Sequence, residues 1–325
     1  MAQITLRNFT SADIPVVTRL QEAYQQAYPH VPVIPGEVYL SPGFEDGRNI
    51  FCAFDEKGDL LGYAPLMPVL TDDPRLPQTV WAEVKADPHG KFQREVKDQL
   101  FARLLERAQA AAATKPVHKI HLTFQYHPSE TASMDYVTSR GCTYRESVYR
   151  MMRELAEPIQ EAPAPVAIEV RCSRIDTERE QLAYLQARDE AFPEAPVPLA
   201  DLQAFLHSPA WQEGTAIIAF DGEAIAGSLM AYWDETISQM SGRKAGYTEY
   251  IFVREKWRQR GIAACMIVQG LLYLKEHGRE AAFLEVRAAN ENALKLYQRL
   301  GYRVVDETRL YVMEIQGGGL RPAAR

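Results

Sequence analysis

The stretch Ile251-Phe252-Val253-Arg254-Glu255-Lys256-Trp257-Arg258-Gln259-Arg260-Gly261-Ile262-Ala263 decides the fold. Three strand-forming residues run into a basic turn, and the turn runs into Ala263, Ile267, Gly270, Leu271 and Leu274, an apolar stripe at helical spacing. A strand is therefore expected over Gly246–Val253 and a helix over about Ile262–His277. The first N–H groups of a helix lack intrahelical partners and the macrodipole is positive there, so such a start binds phosphate oxygens through backbone. Gly261 and Ala263 are small enough for an anion to approach the main chain, and Arg258 and Arg260 add charge and donors. No Gly-Lys-Ser/Thr follows the glycine, which argues against a nucleotide P-loop.

Downstream, a strand is expected over Ala282–Arg287 and a short helix over Glu291–Leu300, with Asn290 placed to cap its start and Gly301 to end it. Upstream, Ile168-Glu169-Val170-Arg171 leads into a helical stretch, and Ala219-Phe220-Asp221 turns through Asp221-Gly222 toward Gly227, a hairpin. The same plan occurs earlier in the chain. Ile4–Arg7 matches Ile168–Arg171 at an offset of 164, Ala53-Phe54-Asp55 leads to Gly62, and Gly141–Leu155 aligns without a gap to Gly301–Ile315 at an offset of 160. Strand, helix, hairpin, strand, helix, strand, helix, strand is thus expected twice, an α/β (α+β) mixed-sheet architecture. The Pro-rich segment 156–166 divides the repeats, giving domains 1–155 and 167–316 and a flexible tail over 317–325.

Arg258-Gln259-Arg260-Gly261-Ile262-Ala263 is similar to the Arg/Gln-x-x-Gly-x-Gly/Ala signature of the GNAT superfamily of N-acetyltransferases. Asn290-Glu291-Asn292-Ala293-Leu294-Lys295-Leu296-Tyr297-Gln298-Arg299-Leu300-Gly301-Tyr302 resembles that family's Asn-x-x-Ala-x-x-Leu-Tyr-x-x-x-Gly-Phe segment, in the expected order and spacing. The resemblance covers about residues 168–315. It implies two tandem GNAT-type acyl-CoA N-acyltransferase domains, in a layout like that of mycothiol synthase. Acetyl-CoA would be the co-substrate, held by backbone at Ile251, Phe252 and Val253, by the pyrophosphate loop Arg258–Ala263, and by Asn290 and Ala293. Tyr297 would protonate the departing thiolate. The implied reaction is acetyl transfer to a primary amine of a small molecule or an exposed amino group, without a metal. The alternatives are a non-catalytic acyl-CoA-binding or sensory module, or transfer of a longer acyl chain.

Such transfer needs a deprotonated amine. Glu249 is the candidate base, because period-two alternation puts it on the face of Tyr247, Ile251 and Val253. Glu285 and Arg287 are read as surface pairs. Asp201, Trp211, Tyr232, Trp233 and Asp234 are candidates for shaping the acceptor pocket and are given no committed role, aromatic residues near a hairpin being core more often than cage.

The first repeat is read as degenerate. Placing Val84 over Val253 brings Phe92 over Gly261 and Arg94 over Ala263, two bulky side chains where the phosphate must meet backbone. Glu130 falls at Asn290 and Val137 at Tyr297, with Tyr136 one position off.

The net charge of −7, with 46% hydrophobic and 24% charged residues, describes an ordinary acidic globular chain and argues against nucleic acid as partner. Arg254, Lys256, Arg258 and Arg260 still form a local basic loop, effective within a Debye length of ~8–10 Å. Cys52, Cys142, Cys172 and Cys265 have neither zinc-site nor paired spacing. No leader-like or bilayer-length apolar run occurs, so a cytoplasmic protein without membrane contact is expected, as a monomer or homodimer.

Overall fold

The computed structural model describes residues 4–70, 78–112, 119–193, 196–235, 238 and 242–316; the segment 317–325 lies outside them. In the first half the elements are β1 (Thr5–Asn8), α1 (Ile14–Ala27), β2 (Ile50–Phe54), β3 (Leu60–Val69), β4 (Gln78–Ala82), β5 (Lys85–Ala86), α2 (Gln93–Ala112), β6 (Lys119–Tyr126), α3 (Thr131–Ser139) and β7 (Thr143–Glu154). In the second they are β8 (Glu169–Ser173), α4 (Glu178–Ala191), α5 (Leu199–Leu206), β9 (Thr215–Asp221), β10 (Ala224–Tyr232), β11 (Ala245–Val253), α6 (Ile262–Glu276), β12 (Ala281–Arg287), α7 (Glu291–Arg299) and β13 (Arg303–Gln316). The anticipated order therefore occurs twice, and between Pro158 and Pro165 the chain forms neither helix nor strand. Among the described residues no helix is long and apolar enough to cross a membrane.

Two compact units form, and they do not coincide with the two halves of the sequence. Residues 148–307 make one unit; the described residues up to 147 join 308–316 in the other. The last strand of each half completes the sheet of the other unit. Residues 309–316 of β13 run antiparallel to β6, and residues 148–154 of β7 run antiparallel to β12.

In the second unit, alternation along β9 and β10 sorts side chains to two faces. Ile217, Ala219, Leu229 and Ala231 pack with α6 and α7 residues such as Met266, Leu271 and Tyr297. Ala216, Ile218, Met230 and Tyr232 pack with Tyr184 of α4 and Leu202 of α5. Helix α6 lies close on its face because Gly270 has no side chain: a Cβ there would sit 2.8 Å from Leu229.

A chain ending at Glu307 would leave β6 as a bare edge and remove Tyr311, Met313 and Ile315 from the first unit's core. We expect hydrogen exchange of the β6 amides to rise toward that of an edge strand, measured by mass spectrometry; unchanged protection would contradict the exchanged-strand arrangement.

Candidate active site

Strand β11 carries an irregularity that simple alternation does not anticipate. Its register with β10 runs Gly227↔Val253, Ser228↔Phe252, then Met230↔Glu249, so Tyr250 and Ile251 together face Leu229. Tyr250 absorbs the extra residue in the left-handed region, at φ 52°. The bulge changes which face each side chain takes. Tyr247 and Phe252 belong to the α4 and α5 face, whereas Ile251 and Val253 pack on the α6 and α7 face. Glu249 receives a hydrogen bond of 2.5 Å from Tyr232 Oη, which places it with Tyr247 and Phe252. The expectation that Glu249 shares a face with Ile251 and Val253 is therefore corrected.

The same strand parts from its other neighbour. β11 and β12 run parallel and pair only at Ala245↔Ala281, Gly246↔Ala282 and Tyr247↔Phe283. Beyond that point the two strands form no ladder with each other, so the polar edge of β11 from Glu249 to Val253 is open toward β12. An extended molecule bearing amides can pair with such an edge as a strand would.

At the end of β11 stands the basic turn. Gln259 and Gly261 both have positive φ, 62° and 84°, and Gly261 is the N-cap of α6 with no side-chain cap. A Cβ on Gly261 would meet nothing within 4 Å, so the glycine serves backbone conformation and an open approach to the helix start. Arg258, Gln259, Arg260 and Gly261 are exposed, Ala263 is half-buried and Ile262 is buried. Arg258 Nε donates to the Val253 carbonyl at 3.0 Å, folding the turn back on the strand. Arg260 has no ion pair or hydrogen bond among the described residues. Arg254, counted in the basic loop above, is instead paired with Glu190 at 2.8 Å and bonded to the Ile225 carbonyl. Trp257 anchors the turn by donating to Asp221 Oδ2 at 2.9 Å. Phe252 is core, its ring against Tyr184, which leaves only its backbone for a ligand.

Asn290 caps α7 by accepting from the Ala293 N–H at 3.2 Å. Tyr297 is 8% exposed, packed edge-on to Tyr302, and its hydroxyl has no hydrogen-bond partner among the described residues. Burial pushes the phenol up to about 12, so it is protonated at neutral pH and has a proton to give. Burial also raises the Glu249 carboxyl; the Tyr232 hydroxyl opposes that, Glu285 adds to it and Arg150 draws it back. A carboxyl that burial raises and a neutral phenol are the groups that general base and general acid catalysis require.

Residues 180–302 match the acetyltransferase (GNAT) family. The second half is a GNAT-family domain. Along 209 residues, 62% of this chain and 64% of the relative, it is 27% identical to a mycothiol acetyltransferase of Salinispora tropica. To that of Acidimicrobium ferrooxidans it is 26% identical over 66% of the chain and 68% of the relative. The match thus spans just under two thirds of the first of these relatives. A GCN5-related N-acetyltransferase of Sphaerobacter thermophilus shares the fold over 97% of both chains, with a TM-score of 0.75 at 19% identity. A tandem GNAT protein from the clavulanic acid biosynthesis pathway does so over 98% of this chain and 99% of its own, at 0.66 and 13%. The chain thus shares the fold of tandem GNAT proteins over nearly its whole length, and the family match itself lies in the second half.

The first half differs from the second at the corresponding positions. Val96 N–H bonds to the Phe92 carbonyl as Cys265 N–H bonds to that of Gly261, so Phe92 does stand at the glycine's place, exposed beside the exposed Arg94. The strand before it is misplaced by two residues in the alignment above. Ala86, not Val84, lies opposite Gly62 as Val253 lies opposite Gly227, and the connecting turn is correspondingly shorter. Glu83, whose N–H reaches the Pro65 carbonyl, thereby takes the position of Glu249 opposite Met230, but it is ion-paired with buried Lys85 at 2.7 Å. Glu130, at the place of Asn290, is buried and accepts from Tyr24 Oη at 2.8 Å.

Gly261→Ala is expected to cost about 1–2 kcal/mol of backbone strain with no clash, seen as a melting temperature lower by about 2–4 °C. An unchanged melting temperature would contradict the left-handed cap.

Proposed function

We propose that the chain is an acetyl-CoA-dependent N-acetyltransferase that acetylates a primary amine of a small molecule, with the GNAT domain of residues 167–316 carrying the reaction and residues 1–155 carrying none. The observation that supports this most is the open edge of β11, which runs into the uncapped start of α6 and whose Ile251 and Val253 pack in the same core cluster as the buried Tyr297. The residues fit the co-substrate: two amides of a pantetheine arm suit an open strand edge, and a pyrophosphate suits a helix start with Arg258 and Arg260 beside it. In this reading Asn290 and Ala293, at the start of α7, would contact the same arm.

In this reading Glu249 takes a proton from the substrate ammonium, and the freed amine attacks the thioester carbonyl held by the backbone of Ile251–Val253. The C–S bond breaks, Tyr297 gives its proton to the departing sulfur, and the second proton that the nitrogen sheds on becoming an amide restores the phenol. The relatives' name speaks of mycothiol, which favours a small amine over a protein amino group. The proposed setting is the cytoplasm, where CoA is at hand and Cys52, Cys142, Cys172 and Cys265 are free thiols; a monomer or homodimer would serve equally.

A thiol-release assay with acetyl-CoA and a panel of small amines tests this. Glu249→Gln and Tyr297→Phe should each lower kcat by about 100-fold or more. Arg258→Ala with Arg260→Ala should raise the KM for acetyl-CoA by about tenfold while sparing kcat. Binding of acetyl-CoA with no transfer to any amine would instead indicate a sensory module, and faster turnover of longer acyl-CoAs a different donor.

A further inference from the structure

We propose that Tyr232 is a positioning residue for this reaction: its hydroxyl holds one oxygen of the Glu249 carboxylate, leaving the other to receive the proton of the substrate ammonium. This rests on the reading of Glu249 as the base.

The bond from Tyr232 Oη to Glu249 Oε2 is 2.5 Å, short even for a charge-assisted contact. It is the only hydrogen bond Glu249's side chain makes among the described residues. Tyr232 ends β10 and is paired across the ladder with Tyr247, two residues beyond Met230, the partner of Glu249. The bond is thus diagonal across the two strands, and it exists only because the bulge at Tyr250 keeps Glu249 on the α4 and α5 face. The tyrosine is itself immobilised. Its ring stacks on Tyr247 at 5.4 Å and 25°, meets Phe205 of α5 edge-on at 5.2 Å, and lies 6.4 Å from Tyr250. A ring fixed by three others sets the carboxylate's place, not the reverse.

Burial pushes the Tyr232 phenol far above its usual range, so it remains a donor throughout the working pH. Other groups around Glu249 act on its charge without bonding to it: Arg150 from β7, Glu285 from β12, and Tyr247 and Tyr250 from its own strand. Arg188 of α4 and Asp201 of α5 line a cavity of about 220 Å³ that Tyr250 also borders. Tyr232 is the member of this group whose removal leaves the ionised carboxylate without a donor. The first unit supports the assignment by contrast. There Met67, paired with Trp81, occupies the position of Tyr232, and Glu83 at the place of Glu249 is held by Lys85.

A donor favours the ionised form, so Tyr232→Phe raises the carboxyl's pKa, and the base is lost at higher pH than in the wild type. The substitution keeps the ring packing. The experiment has two arms on the full chain. Titration of ¹³C-carboxyl glutamate by NMR, with the Glu249 resonance assigned by its absence in Glu249→Gln, should show that resonance moving up by about one pH unit or more in Tyr232→Phe. In the thiol-release assay, with acetyl-CoA and whichever panel amine turns over, the acid limb of kcat/KM should move by the same amount, about a tenfold loss below it. Tyr232→Phe should add no further loss on top of Glu249→Gln. If the Glu249 titration and the acid limb both stay in place in Tyr232→Phe, the proposal falls while the base reading stands. If Glu249→Gln retains the wild-type acid limb, the base reading falls and takes the proposal with it.

Discussion

The site depends on one residue's backbone. Tyr250 sits in the left-handed region at φ 52°, a conformation that costs a non-glycine residue about 1–2 kcal/mol. The extra residue that it absorbs turns Glu249 toward Tyr232 while keeping Ile251 and Val253 on the α6 and α7 face. The same segment is where β11 stops pairing with β12. A regular strand here would pair on both sides, and no edge would be left for a ligand. The strain is thus confined to the point where a strand edge opens, a carboxylate is presented and a helix is about to start.

The two units carry the same elements to different ends. In the second, the turn before α6 is short of side-chain caps and ends in a left-handed glycine; in the first, Phe92 stands at that point. The polar positions of the first unit are not empty but tied: Glu83 to Lys85, Glu130 to Tyr24, and Tyr136 to Asp98. Buried groups satisfied within their own unit stabilise a fold and leave little for chemistry. On the proposed reading, the first repeat differs from the second by the conversion of open donors and acceptors into internal pairs.

Much of this was legible in the chain itself, because the features that carried it are local. A basic turn ending in Gly261, the cap at Asn290 and the strand and helix periods depend on neighbours in sequence, and the repeat doubled each of them. What alternation could not anticipate was the bulge, since a period-two pattern has no term for one inserted residue, and Glu249 went to the other face. The exchange of last strands was hidden for a different reason. Gly141–Leu155 and Gly301–Ile315 are alike in sequence, and nothing local says which sheet either completes. Tyr232 was visible as a residue and not as a partner, because its bond crosses the ladder diagonally. In the first half, the offset that aligned the helix starts was carried back into a strand whose turn is two residues shorter.

On the proposed reading, the helix start at Gly261 forms the acyl-CoA site of the second unit, one per chain. Calorimetric titration of the full chain with CoA measures this directly. One site per chain is expected, weakened at least about tenfold by Gly261→Trp and unaffected by Phe92→Ala. Two sites, or one site indifferent to Gly261 and sensitive to Phe92, would contradict it.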